Sequence, residues 1–437
     1  MFVIWILNNE IKNLISSNKK VRRKTKTIFN FATYLYQIIL IVILLLVFFY
    51  LKNNNNLYLK KDYVINHFEY KSNFSFDKQE NISNLNIINS NSYLTTNLIK
   101  KINETYERNG FVNLNEVEST LPGGRAWAKG KTKSKEVNVG AGFDANFVLL
   151  AMFTIASIMD SQNLGTNLRL HFAVVNGFPV EKMIKIYTLR DKIRDDVEFN
   201  FYNAKQVEKD LNNTNPKGNG PNTKLIFQEL LPDDVERIII LDLGDSLVFR
   251  DLSEMYNWNM EDKIYYGVLD VGVNKYGPFS QKELDIYINT GSILVDVKKA
   301  KSEKLYEKIV ENKNVIEPKT IYDQDFINDI AYGKIGYLPM RFGLVAPFLE
   351  DQDSDRPPYK TVYWNLDNAK YKEKYNLPKN QDEMNINALN PVIIHQWNGK
   401  WIHGRGLTIY RRIAQYYIRF AGIWDEICPE YPGLCKR

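Results

Sequence analysis

The sequence predicts an α/β protein, a largely parallel sheet covered on both faces, preceded by one transmembrane helix and a stem. Three observations predict it. An uncharged apolar run, Ile28–Leu51, follows a cluster of basic residues. From about Glu136, short apolar runs alternate with helical stretches, the pattern of parallel strands joined by crossover helices. Arg237–Leu241 reads Arg-Ile-Ile-Ile-Leu, as expected of a strand buried on both faces.

The chain has 437 residues, 44% hydrophobic and 25% charged, enough to bury a sizeable core. Residues 1–27 carry seven basic side chains (Lys12, Lys19, Lys20, Arg22, Arg23, Lys24, Lys26) against Glu10. That segment accounts for the whole net charge of +6 and leaves the remaining 410 residues with 50 charges of each sign. The neutral body gives no case for nucleic-acid binding. Twenty-four residues of Ile28–Leu51 span about 36 Å as a helix, long enough to cross a bilayer with tilt. Tyr34, Tyr36 and Tyr50 sit near its ends, where amphipathic rings are favoured. The basic flank predicts a cytosolic N-terminus. A cleaved signal peptide would have a shorter apolar region ending in small residues, whereas this one ends Val-Phe-Phe-Tyr-Leu. Residues 1–27 are thus expected as a cytosolic tail, 28–51 as an anchor, 52–135 as a lumenal stem and linker, and 136–437 as the working domain. In an oxidising lumen Cys428 and Cys435 would close a small loop, two free thiols being the other reading. N-x-S/T sequons at Asn73, Asn81, Asn103 and Asn212 fit the same side of the membrane.

The stem is rich in Asn, Ser and Lys and reads as poorly packed, except for a helical stretch near Leu98–Tyr106. Leu121–Gly130 holds Pro122, Gly123, Gly124 and Gly130, a linker. Strands follow at Val137–Ala141, Leu168–Val175, Val197–Tyr202 and Arg237–Leu241. Helices are expected at Phe147–Ser161, Pro179–Lys192 and Lys224–Leu230. Further on come Ile286–Val297 and helices at Ala300–Glu311, Gln324–Tyr332 and Ile409–Trp424.

In open α/β sheets ligands bind outside the carboxyl ends of the strands. Two acidic places occur there. Asp242-Leu243-Gly244-Asp245 follows Arg237–Leu241. Carboxylates at the end of a buried strand are costly without a cation, and a hard divalent ion is held by one or two carboxylates plus phosphate oxygens. The same residues could equally begin a turn. Gly140–Asn146, with its small residues and Asp144, ends the first strand; it suits a nucleotide or an ordinary strand–helix turn.

The order of features resembles glycosyltransferase family 8, retaining transferases of the GT-A fold. Five segments carry the resemblance: Phe143–Phe147; Glu229–Pro232 through Arg237–Asp242 to Asp245–Leu252; Ile288–Val295, with Asn289-Thr290-Gly291; Tyr322–Asp325 with Gly333–Ile335 and Tyr337–Pro339; and Ile393–His395 with Gly399-Lys400-Trp401. It implies that Asp242, Asp245 and His395 hold Mn²⁺ or a similar divalent cation. It implies that Asp144, Asn146, Lys224 and Lys400 meet the nucleotide and its diphosphate, and that Asn289, Asp323 and Gln324 act around the sugar and acceptor. The expected activity is retaining transfer of a hexose or pentose from a UDP-sugar to a glycan or glycoprotein, by a single-pass type II protein of the Golgi or endoplasmic reticulum membrane. The Asp242/Asp245 spacing is one residue longer than D-x-D, which favours an alternative: a catalytically inactive lumenal binding protein of the same fold. His395 as a backbone-satisfied core histidine, and Trp397 and Trp401 as sugar-stacking rings, are further readings of the residues alone.

Overall fold

The structure, a computed structural model, describes residues 92–127, 135–175, 177–210, 223–225, 227–270, 287–312, 322–345, 390–395 and 408–435. The chain divides into two units, Met1–Asn86 and Ile87–Arg437, and every described residue belongs to the second. The expected tail 1–27, the anchor Ile28–Leu51, the stem up to residue 91, and Trp397, Lys400 and Trp401 lie outside the described residues. Among the described residues no helix is long and apolar enough to cross a membrane.

The strands in chain order are β1 (Phe111–Asn113), β2 (Lys135–Phe143), β3 (Thr166–Val174), β4 (Glu198–Asn203), β5 (Arg237–Leu241), β6 (Ser246–Val248), β7 (Tyr265–Leu269), β8 (Ile288–Asp296), β9 (Ile335–Tyr337), β10 (Leu344–Val345) and β11 (Ile393–His395). Eight form one sheet in the order β1-β4-β3-β2-β5-β8-β7-β9; β10-β11-β6 form a second. The run β4-β3-β2-β5 is parallel, as the alternating pattern predicts. Antiparallel pairing of β1 with β4, and of β8 with both β5 and β7, makes the sheet mixed.

β5 shows why its sequence is apolar throughout. Ile239 and Leu241 enter one core cluster and Ile238 and Ile240 the other, so both faces of the sheet are covered. Of the helices that flank it we name α1 (Ser92–Asn109), α2 (Leu114–Ser119), α3 (Val148–Ser161), α4 (Val180–Tyr187), α5 (Tyr322–Ile330), α6 (Thr408–Phe420) and α7 (Trp424–Glu430). α3 is apolar on nearly every side because it is buried on nearly every side, between the sheet and the C-terminal helices. Tyr417 of α6 donates to Asp160 near its C-terminal end at 3.1 Å. Cys428 and Cys435 form a disulfide.

Several expectations change. Pro179–Lys192 is two helices, α4 and a short turn at Leu189–Lys192, and Ala300–Glu311 is divided into Val297–Ser302 and Leu305–Asn312. Ile409–Trp424 is likewise divided, between α6 and α7. Strand β7 has no counterpart in the sequence reading. The stem helix near Leu98–Tyr106 is the longer α1, and the residues after it join the fold. Phe111 of β1 stacks on Tyr202 of β4 at 4.8 Å, and Asn113 caps α2 by accepting from Glu116 N–H at 3.1 Å. Such a cap is worth about 1 kcal/mol. Glu118 of α2 accepts from Arg125 at 2.9 Å and from Tyr187 and Arg190 at 2.7 Å each, tying this segment to α4 and the turn beyond it.

A buried polar relay lies within the sheet. Asn138 donates to Glu136 at 2.8 Å, so its Oδ1 faces His171 Nε2 at 3.0 Å. His171 Nε2 therefore carries the proton, and Nδ1 accepts from Tyr202 at 2.9 Å. Burial, reinforced by the nearby Arg169 charge, holds this imidazole neutral, well below its ordinary pKa.

Candidate active site

The candidate residues gather where β5 and β8 meet. Lys224, in the turn Thr223–Leu225, is 3% exposed, and its ammonium lies between Asp242 and Asp323, 2.9 Å from the latter's Oδ2. Burial alone would lower its pKa; the charges of Asp242 and Asp323 more than offset this and push it above the ordinary lysine range. Asp323 is placed by the first turn of α5, one residue inside the helix, so it is not the N-cap. It also accepts from Thr290 Oγ1 at 3.2 Å.

The network continues without a break. Thr290 N–H donates to Gln324 Oε1 at 3.0 Å, and because a backbone N–H can only donate, this fixes the amide. Gln324 Nε2 then donates to Asp270 Oδ2 at 3.0 Å, and Asn289 Nδ2 donates to the same oxygen at 3.1 Å. Asn289 Oδ1 turns back to accept from Gly291 N–H at 2.8 Å. Behind this layer Tyr287 donates to Asp325 at 2.5 Å, and its carbonyl accepts from Asp270 N–H at 2.9 Å. Asn289, Asp323, Gln324, Lys224 and Asp242 are thus brought into one connected set. Sequence reasoning missed Asp270 and Thr290. Asp270 ends β7 as Asp242 ends β5, so an apolar run closed by a carboxylate was the available signal.

Beside this set stand Asp245, Ser246 and His395. The residue that lengthens the acidic motif is absorbed at Gly244, whose φ of +88° places it in the left-handed region. Its N–H donates to Thr154 Oγ1 of α3 at 3.0 Å, and Thr154 Oγ1 donates to the Ser246 carbonyl at 2.8 Å. Asp242 carbonyl accepts from Ser246 N–H at 3.0 Å and closes the turn. Ser246 consequently enters β6 in register with His395 of β11. The His395 ring lies over Gly291: a Cβ there would fall 2.3 Å from Cε1. That close approach is why glycine stands third in Asn289-Thr290-Gly291. His395 is 6% exposed. Burial lowers its pKa, with the Asp242 charge opposing, so the ring is neutral.

Asp144 and Asn146 sit apart from this network, at the carboxyl end of β2. Asp144 accepts from Asn146 N–H at 2.8 Å and caps a short 3₁₀ turn leading into α3. Asn146 and Phe147 are exposed.

The three expected metal ligands do not converge as a closed trio: among the described residues no three His, Cys, Asp or Glu side chains form a metal-binding group. One oxygen of Asp242 already faces Lys224. The donor chemistry still suits a divalent ion. Two carboxylates and a neutral imidazole are ligands for such a cation, and an ion that shares a diphosphate needs only one or two protein carboxylates.

In this mixed α/β sheet the carboxylate, amide and lysine network stands outside the carboxyl ends of β5 and β7, where open α/β sheets bind their ligands. Residues 138–400 match Glycosyl transferase family 8, and the chain belongs to that family. A Haemophilus influenzae protein described as a glycosyltransferase is 29% identical over 116 residues, covering 25% of this chain and 34% of that protein. The chain therefore spans about a third of that curated relative. The apo structure of the bifunctional WbbM glycosyltransferase is similar with a TM-score of 0.53 and 18% identity, covering 71% of this chain and 53% of that chain. A complex of the galactosyltransferase LgtC with donor and acceptor sugar analogs has a TM-score of 0.48 and 16% identity, covering 68% of this chain and 99% of that chain. The WbbM likeness is one of fold.

Proposed function

We propose that the protein is a retaining glycosyltransferase that moves a hexose or pentose from a UDP-sugar to a glycan or glycoprotein acceptor. The observation that carries this reading is the unbroken chain from the half-buried Asp242 through the buried Lys224, Asp323, Thr290 and Gln324 to Asp270 and Asn289. Its members fix one another's orientation, so their remaining hydrogen-bonding capacity is pre-aimed, as positioning a polyhydroxyl ligand requires. Lys224 bridges Asp242 and Asp323 and offsets part of their negative charge. Asp144 and Asn146 would meet the nucleotide and Lys400 the diphosphate. Asp242, Asp245 and His395 would hold a divalent cation, which when bound neutralises charge on the departing nucleotide. Ile28–Leu51, with its basic flank, would tether the protein in the Golgi or endoplasmic reticulum membrane with residues 136–437 in the lumen.

A second reading is an inactive sugar-nucleotide-binding protein. The Lys224 contact on Asp242 and the extra residue at Gly244 favour it. The test is UDP release by the full chain in detergent micelles, with a panel of UDP-sugars and oligosaccharide acceptors, with Mn²⁺ and with EDTA. The transferase reading expects release with at least one donor, lost in EDTA and in Asp245→Ala. UDP binding without release from any donor selects the binding protein. Absence of UDP and UDP-sugar binding sinks both.

A further inference from the structure

Two groups meet the Ser246 hydroxyl: the Gly291 carbonyl oxygen at 3.3 Å and His395 Nδ1 at 3.2 Å. A serine hydroxyl has one proton and two lone pairs, and a carbonyl oxygen can only accept. Both contacts are hydrogen bonds at once only when the hydroxyl proton goes to Gly291 and Ser246 accepts from the ring, the arrangement taken here. Nδ1 of His395 then carries the imidazole proton, and Nε2 carries the lone pair. Backbone pairing holds the arrangement at both ends. Gly291 carbonyl also accepts from Asp242 N–H at 2.9 Å, which fixes it within the extended β5–β8 ladder. Ser246 and His395 are paired residues of β6 and β11. The ring has little freedom to turn away, because it fills the space a Gly291 Cβ would occupy, with Nδ1 and Nε2 each 2.6 Å from that point. Among the described residues Nε2 takes no hydrogen bond.

We propose that Ser246 is a positioning residue that sets the tautomer of His395, so that Nε2 is presented as a bare lone pair to a divalent cation. This rests on the reading of His395 as a metal ligand. The physical logic is general: an imidazole that ligates through one nitrogen is oriented by a hydrogen bond donated from the other. The sequence offers no sign of it, since Ser246 and His395 stand 149 residues apart.

The test begins on metal-free full-length protein in detergent micelles, labelled with ¹⁵N-histidine. The chain has only four histidines, and His395→Gln assigns the signal. Long-range ¹H–¹⁵N spectra are expected to show a protonated Nδ1 and an unprotonated Nε2. A dominant Nε2–H tautomer overturns the proposal. Mn²⁺ titration followed by electron paramagnetic resonance gives the second readout. Ser246→Ala is expected to weaken Mn²⁺ binding by about 10-fold or more. Ser246→Thr, which keeps the hydroxyl, is expected to restore it to within about 3-fold. Unchanged tautomer and Mn²⁺ affinity in Ser246→Ala overturns the role of Ser246. Should the alanine variant fail to fold, the wild-type spectrum and the threonine variant still decide. Neither readout needs turnover, so failure here is distinct from failure of the transferase assay.

Discussion

Replacing Lys224 by Met keeps the length of the side chain and removes its charge. In the native protein that charge is buried between Asp323, whose side chain is 9% exposed, and Asp242, 30% exposed. Breaking a buried ion pair by removing one partner costs about 3–5 kcal/mol. Asp242 is partly hydrated and loses less, so the lower end applies: about 3 kcal/mol, or about 150-fold in the folding equilibrium. For a folded unit the size of Ile87–Arg437 that lowers the melting temperature by about 4 °C at pH 7. The pH dependence has a definite sign. Although burial opposes it, the two carboxylates raise the folded-state pKa of Lys224 above its unfolded value of about 10.4. Its stabilisation is therefore complete below that value and is lost only as pH rises through the folded pKa, leaving the lysine contribution level between pH 6 and 9. Scanning calorimetry of both proteins across that range measures the difference. A variant melting within 1 °C of wild type at pH 7 would refute this account of Lys224.

His171 is held neutral in the folded state but protonates below about pH 6.5 when unfolded, so wild-type stability should fall by up to about 1.4 kcal/mol per pH unit as acid is added. His171→Gln should reduce that slope in urea titrations at pH 7.0 and 5.5, and an unchanged slope counts against it. Gly291→Ala drives a methyl group to 2.3 Å from His395 Cε1, so the ring must move. We expect a loss of about 1–3 kcal/mol in stability and a larger loss of Mn²⁺ binding, both measurable on one preparation. Replacing Cys428 and Cys435 together by Ser opens a loop of sequence separation 7 and should cost about 2.5 kcal/mol, seen as a lower denaturant midpoint.

The elements legible in the sequence are those whose burial is uniform. β5 is apolar at every position after Arg237 because both faces are covered, and α3 is apolar for the same reason. β7 was not legible: Tyr265, Tyr266 and Gly267 dilute its apolar run, and its register with β8 shifts between Gly267 and Val268. With the strand went Asp270. β1 has three residues, too few for a period, and stands in the sheet through a contact with Tyr202 made 91 residues later. In the site, residue types were legible and partners were not. Asp242 reads as half of an acidic motif, yet what it faces is Lys224, and Asp323 meets that same lysine from 99 residues away. The glycine of Asn289-Thr290-Gly291 likewise has its reason in the ring of His395, supplied by another sheet.

β1 also decides where the protein can be cut. It is the outermost strand at one side of the sheet, and Val112 and Leu114 behind it are fully buried. A recombinant fragment begun at residue 120, or at 136 where the strand–helix alternation starts, would lack α1, β1 and α2. β4 would become the rim, its backbone donors and acceptors open along Asn200–Tyr202, a template for strand addition between copies. Such fragments should precipitate or associate, whereas one that begins ahead of Ser92 carries its own rim strand.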